Sequence, residues 1–361
     1  MSKNKMTSKE RIEAAMRNEP LDRLPFWPKL DPAYENKWGK TNSWFHEFIG
    51  SDYMGGVGNS FREIRRNTSY SENVNGPDFE AQFITPNGTL VQRKRFDVDS
   101  QSWHPTEFPI KTKQDLGIMA SWYRDAEVVY DSDLREKAAL RYKSYGDKAY
   151  VGESIGETSL MYLVEWLAGV EQAHYLLADH PDEVEDLFDA IHKNFLRRFE
   201  ISVEHSPADT LALTENTSTT LISPDQYKKY CFPQICEYGN IVKKAGRHIY
   251  LHMCGHLKAI LPVLNELPVT AFEAFTPPTV ANTTFYDGRT ACPDKCLIGG
   301  TNAAIWLMPA EKIISYIEEN LDILPHHRGL FPSSAGVMPP ASDPEKIKKV
   351  KDWLDTYPVR V

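Results

Sequence analysis

The sequence predicts an α/β protein built as a single (β/α)8 barrel, a TIM barrel, with an N-terminal antiparallel β insertion. Three observations lead there. Short β-like runs alternate with longer helical runs along most of the 361 residues. Strand candidates begin near residues 24, 53, 149, 210, 248, 269, 296 and 330, which makes eight. Helices separate most of them, which implies parallel pairing with right-handed crossovers. An open doubly wound sheet is the alternative. No Gly-x-Gly-x-x-Gly follows a strand here, which weakens the dinucleotide-binding version of that fold.

Taken in order, Thr7-Ser8-Lys9-Glu10 has capping-box spacing, and Ile12, Ala15 and Met16 follow on one helical face. Leu24-Pro25-Phe26-Trp27 reads as the first strand and Tyr53-Met54-Gly55-Gly56-Val57 as a short buried second one. Residues 60–110 hold Thr89-Leu90-Val91-Gln92-Arg93 and Phe108-Pro109-Ile110, with Asn87-Gly88 as a hairpin turn. The insertion region is therefore set at 60–145 within one domain covering 1–361. Ala149-Tyr150-Val151-Gly152 starts the regular alternation. Residues 158–205 are expected to be helical, with Pro181 in a first-turn position. Thr210–Thr214 is a strand, Ser223-Pro224-Asp225-Gln226 starts a helix, and His248–His252 is the next strand. A helix from His256 to about Glu266 should follow, then strands at Val269–Phe272 and Cys296–Gly299. A helix begins after Met308-Pro309, Leu330-Phe331-Pro332 is the last strand, and Ser342-Asp343-Pro344-Glu345 opens the final helix.

Composition excludes several classes. Hydrophobic residues are 41% and charged residues 25%, values of a soluble globular chain rather than a disordered or fibrous one. No run reaches the roughly 18 apolar residues of a membrane span. Met1-Ser2-Lys3-Asn4-Lys5-Met6 lacks the apolar core of a secretory signal. Fifty acidic against 41 basic residues give a net charge of −9, which argues against a nucleic-acid partner. Five cysteines, all in the C-terminal half, do not form a secreted disulfide framework. The expected location is cytoplasmic, with reduced thiols.

Barrel chemistry lies at the C-terminal ends of the strands. Those ends carry Lys29 and Asp31, Glu153 and Glu157, Glu215 and Asn216, His252, Cys254 and His256, Glu273 and Phe275, Thr301 and Asn302, and Ser333 and Ser334. His252-Met253-Cys254 is the sharpest of these. In extended chain, residues two apart point the same way, so imidazole and thiolate converge. Both are zinc ligands, and a catalytic zinc takes about three protein ligands plus an open position. Glu215 and Glu273 on the flanking strands are the natural further ligands. The competing reading makes His252 a packed histidine and Cys254 a small buried thiol. Cys292-x3-Cys296 and Cys231-x4-Cys236 lack the spacing of a structural zinc site. Glu153 is a candidate base or a helix cap. Phe26, Trp27, Lys29, Asp31, Tyr34 and Trp38 either line a pocket or serve as lid and core.

The chain resembles the uroporphyrinogen decarboxylase superfamily. Lys9-Glu10-Arg11-Ile12 through Asp22-Arg23-Leu24-Pro25-Phe26 is similar to its N-terminal signature. Leu251-His252-Met253-Cys254-Gly255-His256 is similar to its His-x-Cys-Gly segment, and Ile298-Gly299-Gly300-Thr301-Asn302 and Ser334-Ala335-Gly336-Val337-Met338-Pro339-Pro340 to its last strand-end loops. The decarboxylases carry Arg-Gln-Ala-Gly-Arg after the first strand. Trp27-Pro28-Lys29-Leu30-Asp31 stands there instead, without the arginines that clamp carboxylates. The resemblance therefore implies the other branch, zinc-dependent methyltransferases working with a corrinoid protein. Their zinc is held by His-x-Cys, matched by His252 and Cys254, and by a further cysteine in the last loop, where this chain has Ala335.

A carboxylate in place of that thiolate makes a harder site, suited to oxygen chemistry. The expectation is demethylation of a small methylated molecule, with a methoxylated aromatic the leading candidate. Zinc on His252, Cys254 and Glu215 or Glu273 would activate the leaving oxygen, or an acid such as Glu153 or Glu215 would protonate it. Phe26, Trp27, Lys29, Asn216, Phe275 and Asn302 are the expected substrate contacts. Cobalamin would arrive on a partner corrinoid protein, and the fold suggests a homodimer. A decarboxylase or lyase acting on a small acid without corrinoid is the alternative activity, and a non-catalytic binding protein that has lost its metal is a third reading.

Overall fold

The structure is a computed structural model and describes residues 5–360. Residues 1–4, most of the N-terminal stretch expected not to be a secretory signal, lie outside the described residues. Seven strands form one parallel sheet in the order Met54–Gly56, Tyr150–Gly156, Thr210–Thr214, His248–His252, Ala271–Phe275, Cys296–Thr301 and Leu330–Ser334. The remaining place is taken by the segment around Trp27, which makes a single parallel bridge to Ser333. Its other flank reaches the second strand's approach, where Asp52 N–H donates to the Phe26 carbonyl at 2.8 Å. The eight-fold barrel is thus closed by an abbreviated first strand. Pro25 and Pro28 flank it, and neither can donate to a ladder.

Two cores follow from strand alternation. Met54, Tyr150, Ala271, Cys296, Ile298 and Phe331 fill the barrel interior and pack on Ile12, Ala15 and Met16 of the helix Ser8–Met16. That helix has the capping box read from the sequence, with the Thr7 side chain accepting from Glu10 N–H. It plugs the end of the barrel opposite the strand C-termini. Leu211, Leu213, Ile249, Leu251, Phe272 and Leu297 point outward into the larger core under the helices. Burying one such side chain contributes about 1.5–3 kcal/mol, so the alternation is strongly specified.

The insertion is antiparallel as expected. Ser69–Asn75, Asp78–Thr85, Gly88–Asp97 and Ser102–Glu107 form a meander, and Phe61–Ile64 pairs with Glu127–Tyr130. The hairpin turn sits one residue earlier than read from Asn87-Gly88. Gly88 already pairs with Thr85, so Pro86 and Asn87 are the central residues. Phe108–Ile110 lies beyond the last strand of the meander. Helices Lys113–Arg124 and Ser132–Tyr145 complete this region, and Pro32–Trp38 and Asn42–Ile49 follow the first strand; all four went unread in the sequence.

Two other segments differ from expectation. The helix expected over 256–266 shrinks to Leu261–Leu264. Gly255 and the loop after it are pressed on the neighbouring loop instead, and a Cβ on Gly255 would lie 2.5 Å from the Thr217 carbonyl oxygen. Residues 158–205 break into Ser159–Tyr162, a π-turn at Leu163–Leu167, Val170–Asp179 and Pro181–His205. Among the described residues, no helix is long and apolar enough to cross a membrane.

Candidate active site

The strand ends bring two groups of side chains to the barrel mouth. The first is an ion chain. His252 Nδ1 is hydrogen-bonded to Glu273 Oε2, and Lys29 Nζ donates to Glu273 Oε1 at 2.8 Å. Glu273 is placed by regular alternation, two residues after the inward-facing Ala271 and level with His252 on the neighbouring strand, while the register with the next strand shifts between Phe272 and Phe275. Ala274, just after it, has φ +63°, a left-handed conformation that costs a non-glycine residue energy. Lys29 is held by its backbone as well. Its N–H donates to Ser334 Oγ at 3.1 Å, and its carbonyl accepts from Met338 N–H at 2.8 Å. Its ammonium lies 5.6 Å from the centre of the Trp27 ring and 3.4 Å from the Ala335 carbonyl oxygen.

Burial alone would push the Glu273 carboxyl upward. Lys29 and His252 override that and hold it down at about 2. Burial likewise opposes the His252 imidazolium, but the Glu273 carboxylate and the Cys254 thiol beside it raise it to about 9. The chain is therefore a Lys⁺–Glu⁻–His⁺ arrangement at neutral pH.

Cys254 leads into the second group. Its thiol donates to Asn216 Oδ1 at 3.5 Å, and Asn216 Nδ2 donates to Glu165 Oε2 at 2.9 Å. Asn216 has φ +45°, a conformation asparagine tolerates better than most residues. Both Glu215 N–H and Asn216 N–H donate to the His252 carbonyl, at 3.0 and 2.9 Å. Glu157 is buried and accepts from Trp166 Nε1–H at 2.9 Å. Among the described residues, one oxygen of Glu157 and one of Glu165 find no hydrogen-bond partner. Burial and mutual repulsion raise the Glu157 carboxyl, and burial raises that of Glu165 against the pull of Asn216 and His252. Glu215 is raised to about 8 by burial, although the Thr158 N–H and hydroxyl donate to it at 2.9 and 2.5 Å. These three acids favour the protonated state, with no lysine or arginine among the causes acting on them.

The structure does not gather every residue read as functional. Glu153 faces away from the mouth, toward the helix Pro181–His205, where Ser202 Oγ donates to it at 2.6 Å. Glu215 also turns to the helix side and is not brought to His252 and Cys254. Phe26 packs on Trp306 with ring centres 5.7 Å apart, and Phe275 lies in the outer core. Asn302 caps the turn Ala303–Leu307 and ties down the Pro278 carbonyl at 2.8 Å. Asp31 caps Pro32–Trp38. Trp27, Lys29, Asn216, His252, Cys254 and Glu273 remain at the mouth. Sequence reading missed Glu165 and Trp166. Their signal was two polar-capable side chains, with Gly169 following, inside a run read as one helix. The π-turn that presents them is a device common at functional sites.

Zinc, implied by the family resemblance, is tested by the donors themselves. His252 and Cys254 converge, but Glu273 is engaged at both oxygens and Ala335 offers only a methyl group. Among the described residues, no group of three or more His, Cys, Asp or Glu side chains is arranged to hold a metal ion. The residues present do not fit a three-ligand zinc. All five cysteines are free, and burial pushes the Cys292 and Cys296 thiols up to about 11 and about 12, away from the thiolate that binds metal.

The chain thus combines a closed parallel barrel with a His-x-Cys-Gly segment at the end of its fifth strand. The family model for uroporphyrinogen decarboxylase (URO-D) matches residues 145–357. The chain belongs to the uroporphyrinogen decarboxylase family. No curated protein matches it. Among solved structures, it is similar over 98% of its length to a methyltransferase from Methanosarcina mazei, of which 99% is covered, with a TM-score of 0.61 and 14% identity. At that identity the likeness speaks for the fold. A protein described as a vitamin-B12-independent methionine synthase from Listeria monocytogenes aligns over 63% of this chain and 70% of its own, with a TM-score of 0.39 and 14% identity. The Methanosarcina mazei match covers the insertion of this uroporphyrinogen decarboxylase family member as well as its barrel.

Proposed function

We propose that the chain is a corrinoid-dependent methyltransferase. It takes a methyl group from a small methylated substrate, a methoxylated aromatic first among them, and passes it to cob(I)alamin carried by a partner protein. The observation that carries this reading is the cluster of Glu157, Glu165 and Glu215, whose carboxyls burial pushes upward, with Glu165 linked through Asn216 to Cys254. Breaking a methyl–oxygen bond leaves the bonding pair on oxygen. That oxygen needs a proton, and an acid whose affinity is raised toward neutral pH is suited to supply one. The methyl carbon accepts its new electron pair from the corrinoid acceptor, so charge and atoms balance. Glu165 is the best-placed donor, because its carboxyl has a buried oxygen without a hydrogen-bond partner and, of the three raised acids, is the one that feels the His252 charge. Glu157 and Glu215 keep the neighbourhood acidic. Trp27 and Trp166 supply aromatic faces at the two ends of the mouth.

Zinc has no step in this scheme, and the leaving oxygen is served by the chain's own acids. A reducing cytoplasm is the compartment it needs, where the free thiols stay reduced. The test is purified protein with a corrinoid partner and a panel of methoxyarenes, methylamines and methylthiols. Methylcobalamin should form with methoxyarenes, read from the corrinoid absorption spectrum. Absence of methyl transfer across the whole panel would sink the proposal. Release of carbon dioxide from a small acid without any corrinoid would establish the lyase reading in its place.

A further inference from the structure

We infer that the cation of this active site is the Lys29 ammonium, and that the pocket is built to work without a bound zinc ion. The inference rests on the methyltransferase reading for its chemical role, but its main test does not involve methyl transfer.

Four observations carry it. The donor set stops at two, His252 and Cys254, where a catalytic zinc takes about three protein ligands. Ala335, fully buried, stands in the loop after the last strand, and it presents no donor side chain. Glu273 is the carboxylate that would complete the set, but its two oxygens are bonded to Lys29 and His252. Lys29 is also fixed rather than free to swing aside. Main-chain bonds to Ser334 and Met338 and the Trp27 ring hold it, and its ammonium reaches the carbonyl of Ala335 itself. A positive charge thus already sits among the residues a metal would need, and a divalent ion beside it would be repelled.

An ammonium has three N–H donors. Glu273 and the Ala335 carbonyl take two, and the third is available to an oxygen of the substrate. The site is therefore suited to an oxyanion or ether oxygen. As the methyl–oxygen bond breaks and its pair stays on oxygen, the fixed ammonium meets the developing charge that a Lewis acid would otherwise meet. Glu165 supplies the proton, and the corrinoid acceptor supplies the pair for the new bond to carbon.

The test is zinc stoichiometry on the full chain, produced in zinc-supplemented medium and purified without chelator. Wild type should hold far less than one zinc per chain. Equimolar zinc that His252→Ala or Cys254→Ala loses would overturn the inference. The double variant Lys29→Ala with Ala335→Cys removes the charge and supplies a third thiol. It should bind one zinc, and cobalt(II) in its place should show thiolate charge-transfer absorption. A folded double variant that stays empty would overturn the parts given to Lys29 and Ala335. Ala335→Cys alone keeps Lys29 and should stay empty, so equimolar zinc there would overturn the role of the ammonium even if the double variant fails to fold. An empty wild type that transfers no methyl group would sink the functional reading and leave this inference standing.

Discussion

The two sides of the barrel mouth use the same residue type to opposite ends. On one side Glu273, buried between Lys29 and His252, is held ionised at about 2. On the other, Glu157, Glu165 and Glu215 are buried with each other and with amide, hydroxyl and indole donors, and all three are raised. Burial penalises a carboxylate in both places. What differs is the supply of fixed positive charge. Cations on strand ends one and five, Lys29 and His252, flank Glu273 on strand end six and make a charged wall, and their absence on strands three and four makes a proton store. His252 and Cys254 lie between the two, so a substrate there meets a positive pole and an acid at once.

The difference can be broken most sharply at Glu165. Glu165→Gln keeps the Asn216 hydrogen bond but removes the proton. It should lower kcat by roughly 10²–10⁴-fold and erase the alkaline limb of the pH–rate profile, as steady-state kinetics across pH would show. An unchanged profile would mean that the acid side is structural. Glu273→Gln tests the charged side. It leaves Lys29 without a counter-ion and should cost about 3 kcal/mol in denaturant unfolding at neutral pH. Because the folded carboxyl is held below its ordinary value of 4.5, its contribution is present above that pH and lost as pH falls through about 2. The gap between variant and wild type should close in that window.

Glu215 carries the opposite sign. Its folded value is raised to about 8, so the native state binds the extra proton between pH 4.5 and 8. Wild-type stability should therefore decline as pH rises through that range, and Glu215→Gln should flatten the decline in thermal melts. Glu153→Gln is the smallest expected effect. That carboxyl lies on the helix side against Ser202, so catalysis should change by less than about 2-fold, with a loss of about 1 kcal/mol in stability. A large catalytic defect would show that the outward-facing acid communicates with the mouth.

Much of the architecture was legible because barrel strands bury both faces and read as short apolar runs between capped helices. Thr7, Ser223 and Asp343 mark helix starts in sequence and cap helices in the structure. The abbreviated first strand was legible as a strand start but not as a single bridge, since closure depends on Ser333 some 300 residues away. The helices Pro32–Trp38 and Asn42–Ile49 are only 7 and 8 residues long, too short for a helical period to stand out in the sequence.

At the site, His252 and Cys254 were legible because extended geometry fixes that two residues apart share a direction. Glu153 and Glu215 were not, since being at a strand end does not say which side the next carboxylate takes. One residue of phase sends it to the mouth or to the helix layer. Glu273 keeps the inward phase of Ala271, and the irregularity before Phe275 is what sends Phe275 to the outer core.

By itself, then, the sequence determined the barrel, the insertion, the convergence of His252 with Cys254 and the loss of a thiol at Ala335, because each is set by local periodicity or by residue identity. Tertiary structure alone decided that Lys29 meets Glu273, that Glu165 joins the acids and that Glu215 leaves the metal-like pair. Those pairings join strands far apart in the chain. Their charge states depend on which cations burial brings within a few ångströms, and no local pattern encodes that.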